Sequence, residues 1–362
     1  MTEVLSERAL NRATLARQYL LERAPLGAAD AIGRLAGMQS QAPLAPYVGL
    51  WTRLRNFAPG ELATLTEDRQ VVRLQLMRNT VHLVRADDAL DWSALFTPLQ
   101  TAEFNANFRA GTAGADLSAL LGHAGRLLAE RPRSRAELGR LLAESWPQAE
   151  PRALGYAVTL HLVLCQVPPR GVWGKGGAAT WAPLEDWLGA PLGREPADAQ
   201  VDGLVLRYLG AFGPASVADV QVWSGLTRLR EVLERLPVRT FRGHAGQALY
   251  DLPDAPRPAE DTPAPPRFLP EYDNLLLSHS DRTRLIPHTR SVPLPPGNGA
   301  TGGTFLIDGR WQGSWQLRGQ ELRIRPFVEL RRADRDALLA EAAGLCAFIA
   351  PQTAPDVIVD HP

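Results

Sequence analysis

Apolar positions near the start of the chain recur every three to four residues. Leu10, Ala13, Leu15 and Tyr19–Leu21 fall on one helical face, and Pro25-Leu26-Gly27 breaks it. The spacing predicts a second helix over 28–39, with Ile32, Leu35 and Ala36 inward, before Pro43 and Pro46 interrupt. A third segment, 47–57, carries Leu50, Trp51 and Leu54, and Pro59 suits the first turn of a short helix through Leu65. The period then shortens to two. VVRLQLMRNTVHLVR, residues 71–85, alternates apolar and polar positions as a strand pair does, with Asn79 marking a turn or distortion.

The same succession recurs twice. Residues 118–131 read as a helix ended by Pro132, Ser134 and Glu137 as a capping box, and 152–166 as a longer helix. PPRGVWGKGGAATW then reads as a hairpin with a flexible tip. In the third round, 201–212 is helical, Ser216 caps another helix, 226–236 is a third, and VRTFRGHAGQALYDL forms two strands. The linker DAPRPAEDTPAPPRF is proline-rich. Beyond it come strands, a hairpin signal at Asp308-Gly309 and a closing helix over 333–349. Helices followed by a strand pair make a winged-helix pattern. The fold expected is α+β: three tandem winged-helix units (1–115, 116–195, 196–253), a linker (254–268), and a small C-terminal β-barrel with a terminal helix (269–362).

Composition narrows the function. No apolar run approaches a membrane span, and the charged N-terminus lacks the core of a signal peptide, so a cytoplasmic protein is expected. Cys165 and Cys346 sit far apart in apolar surroundings and read as buried thiols. The 39 basic and 39 acidic residues cancel, which argues mildly against a strong nonspecific polyanion binder. The charge is uneven, however: 251–273 is acid-rich and 278–335 arginine-rich, so a positive face remains possible. Lys175 is the single lysine, which leaves Schiff-base catalysis only that side chain or the N-terminal amine.

No metal-ligand spacing, P-loop, dinucleotide fingerprint or nucleophile elbow is present; GVWGKGG reads as a wing tip. What remains is Met38-Gln39-Ser40-Gln41. On an ideal helix the two glutamines diverge by about 200°, and Gln39 can simply end an apolar stripe as a cap. If the chain becomes extended at Ser40, as Pro43 favours, both carboxamides point to one side and can converge on one water or sugar. Arg78, Thr80 and His82 share a strand face by the two-residue period, either contacting DNA phosphate, bracing the glutamines, or packing as an ordinary wing. Arg282 and Arg284 flank a turn and are phosphate-contact candidates. Trp51, Trp92, Trp173 and Trp311 are read as packing residues.

Four segments, in order, resemble the AlkZ/YcaQ winged-helix DNA glycosylases: MQSQAPLAPYVGLWTRL, VVRLQLMRNTVHLV, FLPEYDNLLLSHSDRTRL and FLIDGRWQGSW. The resemblance spans nearly the whole chain. It implies a C-shaped, DNA-binding channel and hydrolysis of the glycosidic bond of cationic N-alkylated purines (N7-alkylguanine, N3-alkyladenine), extending to crosslinks. The Gln-x-Gln pattern resembles the AlkZ branch; the other branch has Asp where Gln41 stands. The middle residue is usually aliphatic and here is Ser40, a departure that bears on lesion range. The Pro/Gly-rich region 286–304 is where the family's DNA-probing hairpin is expected to differ.

The chemistry can be argued independently. A cationic purine is a good leaving group, so the enzyme need only stabilise an oxocarbenium-like sugar and orient a water. Neutral carboxamides can do this. Gln41 is expected to position water and Gln39 to hold water or sugar, with Ser40, Arg78, His82, Arg282 and Arg284 contacting double-stranded DNA. A monomer without metal or cofactor, and without lyase activity, is expected. The alternative is a non-enzymatic winged-helix DNA-binding protein or transcriptional regulator, but the candidate recognition helices 136–143 and 218–223 lack the dense Arg/Asn/Gln face that base reading prefers.

Overall fold

The computed structural model describes residues 3–193, 198–286, 302–353 and 355–362. The chain packs as two compact units. One comprises Met1–Ala58, Val205–Trp223 and Thr227–Pro362; the other comprises Pro59–Leu204 and Ser224–Leu226.

The N-terminal part of the first unit holds β1 (Val4–Leu5), α1 (Glu7–Arg17), α2 (Ala28–Arg34), β2 (Met38–Gln39) and α3 (Ala45–Trp51). Ser6 caps α1 by accepting a hydrogen bond from the Ala9 amide at 3.0 Å. Both α1 and α2 end in the same closure. A non-glycine residue turns left-handed, Tyr19 (φ 56°) after α1 and Ala36 (φ 55°) after α2. The next amide then reaches back five residues: Leu20 to the Leu15 carbonyl at 2.9 Å, Gly37 to that of Ile32 at 3.0 Å. This is the Schellman arrangement, which satisfies carbonyls that a helix end would orphan. The helix expected over 28–39 therefore stops at Arg34. Gly37, at φ 85°, adopts a conformation that side chains resist, and the chain leaves it extended through Met38 and Gln39.

The second unit contains α4 (Pro59–Glu67), β3 (Val71–Gln75), β4 (Val81–Arg85), α5 (Ala86–Asn107), α6 (Leu117–Glu130), β5 (Arg133–Ser134), α7 (Arg135–Ala143), α8 (Pro151–His161), β6 (Leu164–Val167), β7 (Thr180–Pro183), α9 (Leu184–Leu188) and the first turns of α10 (Asp198–Phe212). Its strands lie in the order β4-β3-β6-β7-β5. The 71–85 hairpin forms in the expected place, pairing Leu74 with His82. It is buried almost continuously, Arg73 included, because β3 is an interior strand flanked by β4 and β6. The helix expected to reach residue 166 ends at His161, and the hairpin arms are β6 and β7, so the Gly-rich stretch forms the loop between them. Lys175 in that loop is exposed and pairs with Glu67 at 2.5 Å.

Ser134 caps α7 as its sequence position predicts, accepting from the Glu137 amide at 3.1 Å. The Glu137 carboxylate pairs with Arg131 and Arg133. Helices α7 and α8 cross backbone to backbone through two glycines. A Cβ on Gly139 would lie 2.0 Å from the Pro151 carbonyl oxygen, and one on Gly155 2.5 Å from that of Arg135. Around this crossing Leu120, Leu138, Leu142, Leu154, Val158 and Trp181 form the unit's core.

The rest of the chain supplies α11 (Val217–Ser224), α12 (Leu229–Arg235), β8 (Arg239–Gly243), β9 (Ala248–Asp251), β10 (Arg267–Leu269), β11 (Gly303–Ile307), β12 (Arg310–Arg318), β13 (Glu321–Pro326), α13 (Arg332–Ile349) and β14 (Asp356–Val359). Within the first unit β1 joins the β8–β9 hairpin as a parallel edge. The last five strands form one sheet in chain order, β10 to β14. Its β11–β12 turn has Asp308 and Gly309 at φ 46° and 74°, the left-handed pair that an Asp-Gly hairpin adopts. Leu338, Ala342 and Leu345 of α13 pack with Phe268, Phe305, Leu322 and Ile324 of this sheet.

The architecture is mixed α+β, as expected. The barrel closure is not seen: among the described residues β10 and β14 are opposite edges of an open sheet. Its apolar face is covered by α13, which buries it without closure. Most of the Pro/Gly-rich region 286–304 lies outside the described residues. Among the described residues no helix is long and apolar enough to cross a membrane.

Candidate functional site

The Schellman turn after α2 decides where the glutamines go. Gln39 is 7% exposed on β2, Ser40 is fully buried, and Gln41 is half-buried. Gln39 lines a narrow cleft of the first unit together with Gln18, Leu35, Gly37, Met38, Ala45, Pro46, Arg53, Phe212, Pro270, Asp273 and Asn274. The free space in it is about 10 Å³, the least that one water needs, so a nucleobase does not fit there.

The cleft wall is unusually polar for so buried a place. Arg53 and Asp273, 2% and 8% exposed, form a two-pronged ion pair with N–O distances of 2.9 and 2.8 Å. Arg53 also donates to the Gly49 carbonyl at 3.0 Å and to Gln18 Oε1 at 3.2 Å. Gln18 in turn donates to the Ala211 carbonyl at 2.8 Å. A buried ion pair repays its desolvation only with such supporting bonds. Asp273 caps a 3₁₀ turn by accepting from the Leu275 amide at 2.9 Å, and Asn274 donates to the Gly37 carbonyl at 3.4 Å. Arg53, Asp273 and Asn274 carry no role in the sequence reading. The signal was present, since TRL and EYDN stand within two of the resembling segments, but nothing in the spacing joins residues more than 200 positions apart.

The strand assigned to Arg78, Thr80 and His82 needs correction. Arg78 lies in a 3₁₀ turn at φ 54°, followed by Asn79 at φ 55°, so it does not share a strand face with His82. The two left-handed residues reverse the chain before β4 begins. His82 is fully buried on β4, and its Nδ1 lies 3.0 Å from the Thr80 carbonyl oxygen. Trp92 and Trp311 are buried and Trp51 stacks with Phe348 at 5.8 Å, packing roles as expected. Cys165 and Cys346 are free and buried.

Arg284 is a second correction. It is 4% exposed, and its guanidinium donates to Thr14 Oγ1 at 3.2 Å and the Pro214 carbonyl at 2.9 Å. A phosphate cannot reach it. Its place is a buried cluster with Tyr208, Asp219 and His279. Burial and the Arg284 charge together push the His279 imidazole well below its ordinary range. Its Nε2 donates to the Phe212 carbonyl at 3.0 Å. Burial works to raise Asp219, but His279, Arg284 and hydrogen bonds from Ser216 bring it below the usual carboxylate range. Arg282 is half-buried and bonds the His279 carbonyl through Nε at 2.9 Å. Several arginines of the stretch read as a positive face are ion-paired: Arg310 with Glu7, Arg323 and Arg325 with Asp360, Arg331 with Asp334. Among the described residues no group of three His, Cys, Asp or Glu could hold a metal ion.

The structure thus sets Gln39 at the wall of a water-sized cleft whose lining does not include Gln41. The interstrand DNA cross-link repair glycosylase of Streptomyces sahachiroi is 28% identical over 353 residues, covering 90% of this chain and 92% of that protein. The solved structure of the Streptomyces sahachiroi DNA glycosylase AlkZ covers 98% of this chain and all of that one, with a TM-score of 0.78 at 23% identity, a likeness of fold. The profile described as DNA glycosylase AlkZ-like matches residues 32–348, and the chain belongs to that family of DNA glycosylases.

Proposed function

We propose that this glycosylase hydrolyses the N-glycosidic bond of cationic N-alkylated purines, N7-alkylguanine and N3-alkyladenine, in double-stranded DNA. The range would extend to crosslinks, as the cross-link repair glycosylase of Streptomyces sahachiroi suggests. The observation that carries the reading is Gln39 on an extended segment at the wall of a cleft the size of a water, with Gln41 two residues on. Gln41 orients the attacking water, and Gln39 holds it or the sugar. No strong acid is required, because alkylation already makes the base a cationic leaving group. The sugar's developing positive charge faces amide oxygens, which stabilise it without titrating.

The run α6-β5-α7-α8-β6-β7 has the order of a winged helix, and we read the other helix–hairpin runs in the same way. In α8 only Pro151 and Arg152 are exposed, and Tyr156 is stacked on Phe108 at 3.8 Å. Such a helix does not suit base reading in a groove, so grip on the DNA backbone fits better. Arg78 and Arg282 remain the proposed DNA-side residues; Ser40 and His82, both fully buried, are set aside for the same reason as Arg284. Action as a monomer in the cytoplasm or nucleoid completes the proposal.

The test uses DNA carrying N7-methylguanine. Gln39→Ala and Gln41→Ala should each slow base release on the order of 10²–10³-fold while DNA affinity stays within a few-fold. Full excision by the double variant would overturn the assignment.

A further inference from the structure

We propose that Asn274, locked in place by the Asp273–Arg53 ion pair, is a positioning residue that sets the Met38–Gln39 strand for catalysis. The inference rests on the reading of Gln39 as a catalytic amide and deepens it.

Two restraints act on the residues just before Gln39. On one side Asn274 Nδ2 donates to the Gly37 carbonyl, in the left-handed turn that throws β2 into extension. On the other, Met38 lies against α3, its Cε only 2.5 Å from where a Cβ on Gly49 would stand. The same Gly49 carbonyl accepts from Arg53, so the ion pair ties both restraints together. Asn274 has little freedom of its own. It is 6% exposed, and its carbonyl accepts from the Ser278 hydroxyl and the Leu277 amide. The preceding Asp273 holds Arg53 with both carboxylate oxygens.

The Asn274 bond is long for a hydrogen bond and contributes little to folding. Its value is geometric. A shift of about 1 Å in an oriented group can cost on the order of 100-fold in rate, and the Gly37 carbonyl is two residues from the amide that must meet the water. Replacing the donor by a carboxylate, Asn274→Asp, sets two acceptors against each other at the same volume.

The experiment is a double-mutant cycle measured as single-turnover release of N7-methylguanine at saturating full-length enzyme. It uses Asn274→Asp, Asn274→Ala, Gln39→Ala and the pair Asn274→Asp/Gln39→Ala. Asn274→Asp is expected to slow excision on the order of 10- to 100-fold, with affinity for undamaged DNA unchanged within twofold. In the Gln39→Ala background it should slow excision no further, since residues acting through one another are not additive. Leu338→Ala, a destabilised control in the core of the C-terminal sheet, should excise at the wild-type rate below its unfolding temperature. Wild-type rates for Asn274→Ala and Asn274→Asp, or a full additional loss in the double variant, would overturn the inference. A wild-type rate for Gln39→Ala alone would instead bring down the glutamine assignment, and this inference with it.

Discussion

Arg17 donates to both carboxylate oxygens of Asp251, at 2.6 and 2.8 Å, with both side chains at most 1% exposed. Arg257 binds the same carboxylate, and Asp251 also caps the Leu252 amide at 2.9 Å. The pair ties α1 to the end of β9 within one unit. Gly213 makes room for it, since a Cβ there would lie 2.6 Å from Arg17 Nη1 and 2.8 Å from Asp251 Oδ1. Removing the acid would leave a buried guanidinium without its counter-charge. Asp251→Ala should therefore lower unfolding free energy by about 3–5 kcal/mol, read from the urea midpoint. A loss below about 1 kcal/mol would show that water reaches the site.

The two arginines once grouped by their sequence neighbourhood should separate in behaviour. Arg282→Ala should leave stability within about 0.5 kcal/mol and reduce the slope of log affinity against log salt by about one for duplex DNA. Arg284→Ala should instead destabilise the fold, because Thr14 and Pro214 lose their donor. An unchanged salt slope in Arg282→Ala would remove it from the DNA-contacting set.

Acid sensitivity should have a specific source in the first unit. His279 is held neutral by burial and by Arg284, so its folded value lies below the ordinary imidazole value of about 6.5. Below that pH the unfolded chain takes up a proton that the folded chain refuses. Stability should then fall as pH drops, by about 1.4 kcal/mol per pH unit for this one group. His279→Gln should flatten the dependence between about pH 6.5 and 5. An unaltered slope in chemical unfolding would place the sensitivity elsewhere.

Burial pushes the Cys165 thiol up to about 12, so almost no thiolate exists near neutrality. In a Cys346→Ala background, Ellman's reagent at pH 8 should leave the native chain unlabelled and react once urea unfolds it. Rapid native labelling would mean that β6 opens readily.

The α7–α8 crossing gives a packing test. Gly155→Ala forces a methyl to within 2.5 Å of the Arg135 carbonyl, and should destabilise the second unit by about 1–3 kcal/mol in thermal unfolding. A neutral result would mean that the helices separate at little cost.

Local chemistry made much of the fold legible. The Ser134 cap, the Asp308-Gly309 turn, the 71–85 hairpin and the α13 stripe each depend on residues a few positions apart, and each formed where the sequence indicated. A break of the helix ahead of Pro43 was legible too, although it came at Arg34 rather than at Ser40. The sequence failed where a local rule met a distant neighbour. The period-three pattern continued the second helix to residue 39, but a left-handed alanine and Gly37 ended it at Arg34. Arg284 looked like surface because arginines usually are; only folding surrounded it with Tyr208, Asp219 and His279. The residues that line the cleft with Gln39 were the least visible, since Arg53 and Asp273 stand 220 residues apart. A chain fixes its turns through neighbours along the backbone, whereas a cleft depends on which distant side chains burial brings within about 3 Å, and pairing of that kind leaves no period to read.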